Sequence, residues 1–462
     1  MDERRASVDE PLLPTERDPR PPTRLERLRA LPRRLRTSTV RLSFVGALLV
    51  AALYLVVLRD SPAARPPAVA RPSQGFAGAT PTPAQRLAQL NADYDPTVEG
   101  FGVGNVDLAA YRASLHATLD EILGPASLNT SVTRFDGFDD AAGPLPPEDA
   151  ALRAALDCHL SLSCAPQSAP LPASLYATAR TVSPVPAALE SWLETDPSLV
   201  LRLLDDAGVS AFVRARFPRV ADTFDALPLK ILKFDLFRLL VLLAHGGTYT
   251  DADTRLVRPL AAWGERAEDR TDAVLAATGV GAGAPQLVVG FEWARRTEMN
   301  ALNALYTRQA GLVQWTFSAQ AGHPILIDAV RRVLRHTARA AGGEPALDSE
   351  GPLHFDPTAD RMVLEWSGPA VLTDSVSRYL RTRYGQPLSA LASTPHPVRV
   401  GDALVLPLQA LNARTGTAAR LVDWALGRGW APWSEAWARG CVVHEHAASW
   451  WGQKLGKGKR GL

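Results

Sequence analysis

The stretch Leu229–Val257, LKILKFDLFRLLVLLAHGGTYTDADTRLV, decides the fold class. Its first seventeen residues, Leu229 to His245, place apolar side chains on nearly every helical face, which predicts a buried helix rather than a surface one. Gly246-Gly247 then ends the helix and lets the chain reverse. TYTDADTRLV follows as a strand running into a loop. Period-two geometry puts Tyr249 and Asp251 on one side of it, with Asp253 at its end. Upstream, ASLYATA (Ala173–Ala179) reads as a short strand and LVLRLLDD (Leu199–Asp206) as another, with helical stretches between and after them. Strands alternating with helices give an α/β class.

The same stretch carries the chemistry. Two like charges one residue apart at the end of an apolar run are costly to bury. They are useful where hard carboxylate oxygens hold a divalent cation that in turn neutralises a diphosphate. Asp235 and Arg238, three apart, share one face of the preceding helix. They form either an intrahelical ion pair or a pair of ligand contacts.

Outward from this centre, the 462-residue chain is 46% hydrophobic, enough for one large or two ordinary cores. Its formal net charge of +2 gives no basic surface for nucleic acid. The charge is unevenly spread, with arginines crowded into residues 1–41 ahead of LSFVGALLVAALYLVVL (Leu42–Leu58). That uncharged run is just long enough to cross a bilayer, and its length favours an uncleaved anchor over a signal peptide. The arginine excess before it keeps the N-terminus cytosolic. Residues 59–105, rich in Pro, Ala and Gly, are expected to be a stem, with a short amphipathic stretch at Ala84–Leu90. Residues 106–170 read as an N-terminal extension holding one helix over Val106–Leu123 and loop-like sequence from Gly124 to Pro172. Asn129-Thr130-Ser131 within it is a glycosylation sequon for a lumenal chain. Cys158 and Cys164 either pair as a small disulfide or stay reduced with Cys441. The main folded domain is assigned to 171–455 and a short basic tail to 456–462.

The block LPLKILKFDLFRLLVLLAHGGTYTDADTRLVRPLAAW (Leu227–Trp263) resembles glycosyltransferase family 32, whose members carry K-x-D-x-x-R…GG-x-Y-x-D-x-D. LVVGFE (Leu287–Glu292), VQWTFSAQAGHPIL (Val313–Leu326), EWSGPAVLTDSVSRYL (Glu365–Leu380), VGDALVLPL (Val400–Leu408) and VVHEHAASWW (Val442–Trp451) resemble its fungal initiation-specific α-1,6-mannosyltransferases. Two stretches depart from the family pattern. LPASLYAT keeps only Pro172 and Thr178 of the opening motif, and Ala448 stands where the last motif has glycine.

The resemblance implies a GT-A fold with a mixed, mostly parallel sheet, and transfer of mannose from GDP-mannose to an N-linked glycan with retention, with Mn2+ as cofactor. It implies metal contacts from Asp251, Asp253 and His444, with Glu445 and His446 competing for the role of His444. Asp235, Arg238, Tyr249, Asp251, Ser449 and Trp450 would contact the donor. Asp235, Arg238, Asp251 and Asp253 would form the catalytic set. Glu292 and Asp374 are candidate acceptor contacts, though a cap role suits Asp374 between Thr373 and Ser375. The implied setting is a single-pass type II Golgi membrane protein, alone or in a mannosyltransferase complex. Transfer to inositol phosphoceramide, another nucleotide sugar, or a non-catalytic subunit of such a complex are the alternatives.

Overall fold

The structure is a computed structural model that describes residues 81–92, 107–125, 149–161, 169–279, 283–294, 308, 310–342, 362–408, 410–411 and 440–445. All of these belong to one compact unit spanning Ala79–Leu462. Among the described residues no helix is long and apolar enough to cross a membrane. Leu42–Leu58, Asn129, Cys164, His446, Ser449 and Trp450 lie outside them.

Three helices precede the sheet: α1 (Pro83–Ala92), α2 (Leu108–Leu123) and α3 (Asp149–Leu160). Then come β1 (Ser174–Thr178), α4 (Ala187–Thr195), β2 (Val200–Leu204), α5 (Asp206–Arg216), α6 (Pro218–Ala226), α7 (Lys230–His245), β3 (Gly247–Thr250) and β4 (Thr254–Leu256). The second half holds β5 (Glu268–Asp269), α8 (Ala273–Ala276), β6 (Leu287–Ala294), β7 (Ala310–Leu312), β8 (Thr316–Ala319), α9 (Pro324–Ala340), α10 (Met362–Trp366), α11 (Pro369–Tyr384), β9 (Val398–Val400), β10 (Ala403–Leu406) and β11 (Val442–His444).

The mixed α/β sheet runs β2-β1-β3-β8-β6-β10-β9-β5, with β7 beside β6. β1 is parallel to β2 and β3, and β10 is parallel to β6. β8 lies antiparallel between β3 and β6, so those two strands run the same way. The carboxyl ends of β1, β3, β6 and β10 therefore open on one edge, where α/β sheets bind ligands. β4 leaves the sheet and pairs antiparallel with β11, His444 opposite Thr254.

Alternation along the strands divides the interior in two. Tyr176, Leu287, Val289, Ala403 and Val405 face the core shared with the helices. Leu175, Ala177, Val288, Leu404 and Leu406 face a second cluster with Trp192, Trp263 and Trp315. As the sequence predicts, α7 is buried nearly all round, from Leu232 to Ala244. Gly246 and Gly247 end it at φ 66° and 105°. A Cβ on Gly247 would stand 2.6 Å from the Ser174 carbonyl oxygen, so both dihedral and space require glycine there.

The packing boundary falls at Ala79 rather than Leu171. Within the expected stem, α1 opens with a capping box: the Gln85 amide donates to Thr82 Oγ1 (3.3 Å) and the Thr82 amide to Gln85 Oε1 (2.9 Å). Arg86 pairs with Asp272 at 2.9 Å. In the expected extension, the loop reading of Gly124–Pro172 gives way to α3, whose Leu152, Leu156, His159 and Leu160 are buried at helical spacing. These residues and Tyr111, Leu115, Leu119 and Ile122 of α2 belong to the main core. Cys158 of α3 is disulfide-bonded, and Cys441 is a buried reduced thiol.

Candidate active site

Asp251 leaves the end of β3, and a turn through Ala252-Asp253 leads into β4. Thr254 fixes that turn, its hydroxyl donating to the Asp251 carbonyl at 2.7 Å. The β4–β11 ribbon delivers His444 from nearly two hundred residues downstream, and the Glu445 amide donates to the Asp253 carbonyl at 2.8 Å. One donor atom from each of Asp251, Asp253 and His444 lies within 4.8 Å of the others. His444 Nε2 is 3.2 Å from Asp253 Oδ1, and its ring stacks on Trp315 with centroids 4.5 Å apart. The three side chains keep 30%, 25% and 14% of their exposure, so the cluster is open to a ligand.

Two carboxylates and an imidazole on one open face suit a divalent cation of the Mg2+ or Mn2+ type. Burial pushes the Asp251 carboxyl up; Arg238 opposes this and the charge of Asp253 adds to it. A cation in the cluster would remove that repulsion.

Asp235, Arg238 and Tyr249 stand one layer behind the open face. Asp235 and Arg238 are 4% and 5% exposed at the side chain, and Tyr249 is fully buried. Arg238 Nη2 lies 3.1 Å from Asp235 Oδ1 and 3.3 Å from Asp251 Oδ1, while Nη1 donates to the Gln314 carbonyl at 3.2 Å. Its guanidinium also covers the Tyr249 ring at 4.9 Å, and the Tyr249 hydroxyl donates to Asp251 Oδ1 at 3.0 Å. Where the resemblance implies direct donor contacts, the geometry has these residues orienting Asp251. Burial lifts the Asp235 carboxyl to about 6 against the pull of Arg238.

Glu292 lies in the carboxyl half of β6, the same edge of the sheet. It is half-buried near His444 and Trp315, and burial pushes its carboxyl up to about 7. Asp374 requires a correction. It is not a helix cap but lies within α11, buried and gripped by Arg308 at 2.8 and 2.9 Å in a network with Glu365 and Arg332, so both its oxygens are already engaged. Sequence could not show this, because Arg308 is 66 residues away.

A second carboxylate–histidine group, His159, His323 and Asp402, is wholly buried. Asp402 already accepts from Tyr379 (2.9 and 2.8 Å), Tyr384 (2.8 Å) and His159 Nδ1 (2.8 Å). The Ile325 amide donates to His323 Nδ1 at 3.3 Å. A neutral imidazole accepting there carries its proton on Nε2, the nitrogen facing Asp402 at 3.6 Å, and a protonated nitrogen has no lone pair for a metal. Burial alone would raise the Asp402 carboxyl, yet the hydrogen bond from His159 and the adjacent His323 imidazole hold it well below the usual range. The group is a clasp joining α3 to the sheet, and sequence reasoning missed it.

Residues 185–269, which hold α4 through β5 and the Asp251–Asp253 pair, match the family described as "Glycosyltransferase sugar-binding region containing DXD motif". The initiation-specific α-1,6-mannosyltransferase of Schizosaccharomyces pombe is 32% identical over 49% of this chain and 52% of its own length. The enzymes of that name from Candida albicans and Saccharomyces cerevisiae are 25% and 23% identical, over 48% and 40% of this chain and 58% and 47% of theirs. The chain thus spans about half the length of these curated relatives. With the aspartate pair of that region standing at the open edge of the sheet, the chain is similar over residues 185–269 to glycosyltransferase sugar-binding regions containing the DXD motif, and over about half its length to initiation-specific α-1,6-mannosyltransferases.

Proposed function

We propose that the protein is a retaining mannosyltransferase of the GT-A type that moves mannose from GDP-mannose to an N-linked glycan, initiating an α-1,6-linked chain. The observation that carries this reading is the open Asp251–Asp253–His444 cluster inside the region matched to the DXD family. A bound divalent cation, Mn2+ in this reading, supplies charge neutralisation for the donor diphosphate. Asp253, in the turn ahead of β4, and His444 of β11 would hold it, together with Asp251 at the end of β3. Arg238 and Tyr249 keep Asp251 turned toward the open face. Glu292, in the carboxyl half of β6 at the same edge, would face the acceptor, where a carboxyl titrating near neutrality suits exchange of a proton with a sugar hydroxyl. Ser449 and Trp450, five and six residues past His444, are assigned to the diphosphate.

The same reading places Leu42–Leu58 across a Golgi membrane as a type II anchor, with the transferase unit lumenal and open to assembly with other mannosyltransferases. Its test is an assay of the full chain against a panel of nucleotide sugars, with and without Mn2+. Transfer from GDP-mannose that chelator abolishes is the expected result. Preference for another donor, or full activity in excess chelator, would refute the reading.

A further inference from the structure

WSGP, Trp366 to Pro369, joins α10 to α11 directly behind the cluster. Pro369 occupies the first turn of α11, where its missing N–H costs nothing. Gly368 allows the tight crossing: a Cβ there would meet Leu364 Cα at 2.7 Å and the Val363 carbonyl oxygen at 2.8 Å. The junction therefore requires glycine, and it sets Ser367, fully buried, against α7.

Ser367 Oγ donates to Asp235 Oδ2 at 2.8 Å. The other oxygen of Asp235 holds Arg238, whose guanidinium reaches both Asp251 and the Gln314 carbonyl. Gln314 closes the loop, its side-chain amide donating to the Ser367 carbonyl at 2.7 Å. Three elements distant in sequence thus form one hydrogen-bonded ring, and among the described residues Asp251 links it to the open face. A buried carboxylate with one oxygen committed to a guanidinium keeps a fixed rotamer only if its second oxygen also has a donor.

We propose that Ser367 is a positioning residue for the cation cluster: its hydroxyl fixes Asp235, Asp235 fixes Arg238, and Arg238 holds Asp251 in register with Asp253 and His444. The assignment rests on the cation-binding reading above; a partner bonded directly to a metal ligand, as Arg238 is to Asp251, typically changes metal affinity by roughly 10- to 100-fold, and Ser367 acts through that partner.

The test titrates Mn2+ against the full-length chain by the loss of free-ion paramagnetic resonance signal, a readout that needs no substrate. Ser367→Ala should weaken Mn2+ binding by about tenfold, the low end of that range. Ser367→Thr, which keeps the hydroxyl, should restore much of it. In an Asp235→Asn background, Ser367→Ala should add little further, because the serine acts through that carboxylate. If Ser367→Ala fails to fold, Ser367→Cys keeps the volume with a poor donor and should show the same weakening. Equal Mn2+ affinity in the wild type and a folded Ala or Cys variant would overturn the proposal, as would full additivity with Asp235→Asn. A wild type that binds no Mn2+ would instead overturn the cation reading itself, and this assignment with it.

Discussion

The molecule builds the same inventory, carboxylate and imidazole, twice, with opposite results. Around Asp402 one carboxylate meets two tyrosine hydroxyls and two histidines, all buried, and its charge is spent on partners already present. At Asp251 and Asp253 two carboxylates share one histidine at an open strand end, and their charges repel. The first arrangement is complete without a ligand; the second is relieved by a cation. What separates a clasp from a binding site is thus the balance of donors to negative charge and the access of solvent, not the residue types.

The largest effect should come from removing the clasp's outer half. A chain beginning at Leu171 loses His159 with α2 and α3, and with them Tyr111, Leu115, Leu119, Ile122, Leu152, Leu156 and Leu160, all buried. At about 1.5–3 kcal/mol each, these match or exceed the whole stability of an ordinary domain. That chain should be insoluble or unfolded by circular dichroism, whereas one beginning at Ala79 should fold. A stable, soluble Leu171 chain would show that the N-terminal helices are accessory.

Point changes should then split the two clusters. Asp402→Ala strands the hydroxyls of Tyr379 and Tyr384 and the His159 ring, and should cost about 3–5 kcal/mol in denaturant unfolding. The rate of transfer per folded molecule should barely change. Asp253→Ala should do the reverse, lowering transfer on the order of 10³-fold while moving stability by no more than about 0.5 kcal/mol. If both variants lost stability and activity together, the contrast between clasp and site would fail.

The legibility of these regions in sequence follows the range of the contacts that define them. α7, the Gly246-Gly247 stop and the aspartate pair are local, so periodicity and turn chemistry expose them. His444 could be placed only by resemblance, because the β4–β11 pairing spans residues 254 to 444. α3 has a helical pattern at Leu152, Leu156 and Leu160, but Pro-rich and Asp-rich flanks hide it. The Asp402 clasp and the Asp374–Arg308 pair have no local signature, since their partners come from α3, α9, α11 and the chain ahead of β7. Ser367 falls between these cases: Gly-Pro marks a helix start, yet nothing local reveals Asp235 beneath it.

The smallest effect tests the protonation state of the clasp. Burial holds the His323 imidazole down to about 4, against an ordinary value near 6.5. The unfolded chain therefore binds a proton at this residue between those two values and the folded chain does not. The stability it lends is full above about pH 6.5 and is lost as pH falls toward 4, by about 2 kcal/mol at pH 5. The total profile will not show this directly. Asp235 and Glu292, lifted to about 6 and about 7, favour the folded state as pH falls, while His245 and His336, also held down to about 4, oppose it. A difference isolates it. In His323→Asn the Asn side chain still caps α9, where His323 accepts from the Ile325 amide, but it does not titrate. Measured by denaturant unfolding, the variant should gain about 2 kcal/mol on the wild type between pH 7 and pH 5, whatever its offset at neutrality. Parallel profiles would mean that His323 takes up its second proton without loss of fold, and that the Asp402 group, like the open cluster, still has charge to spend.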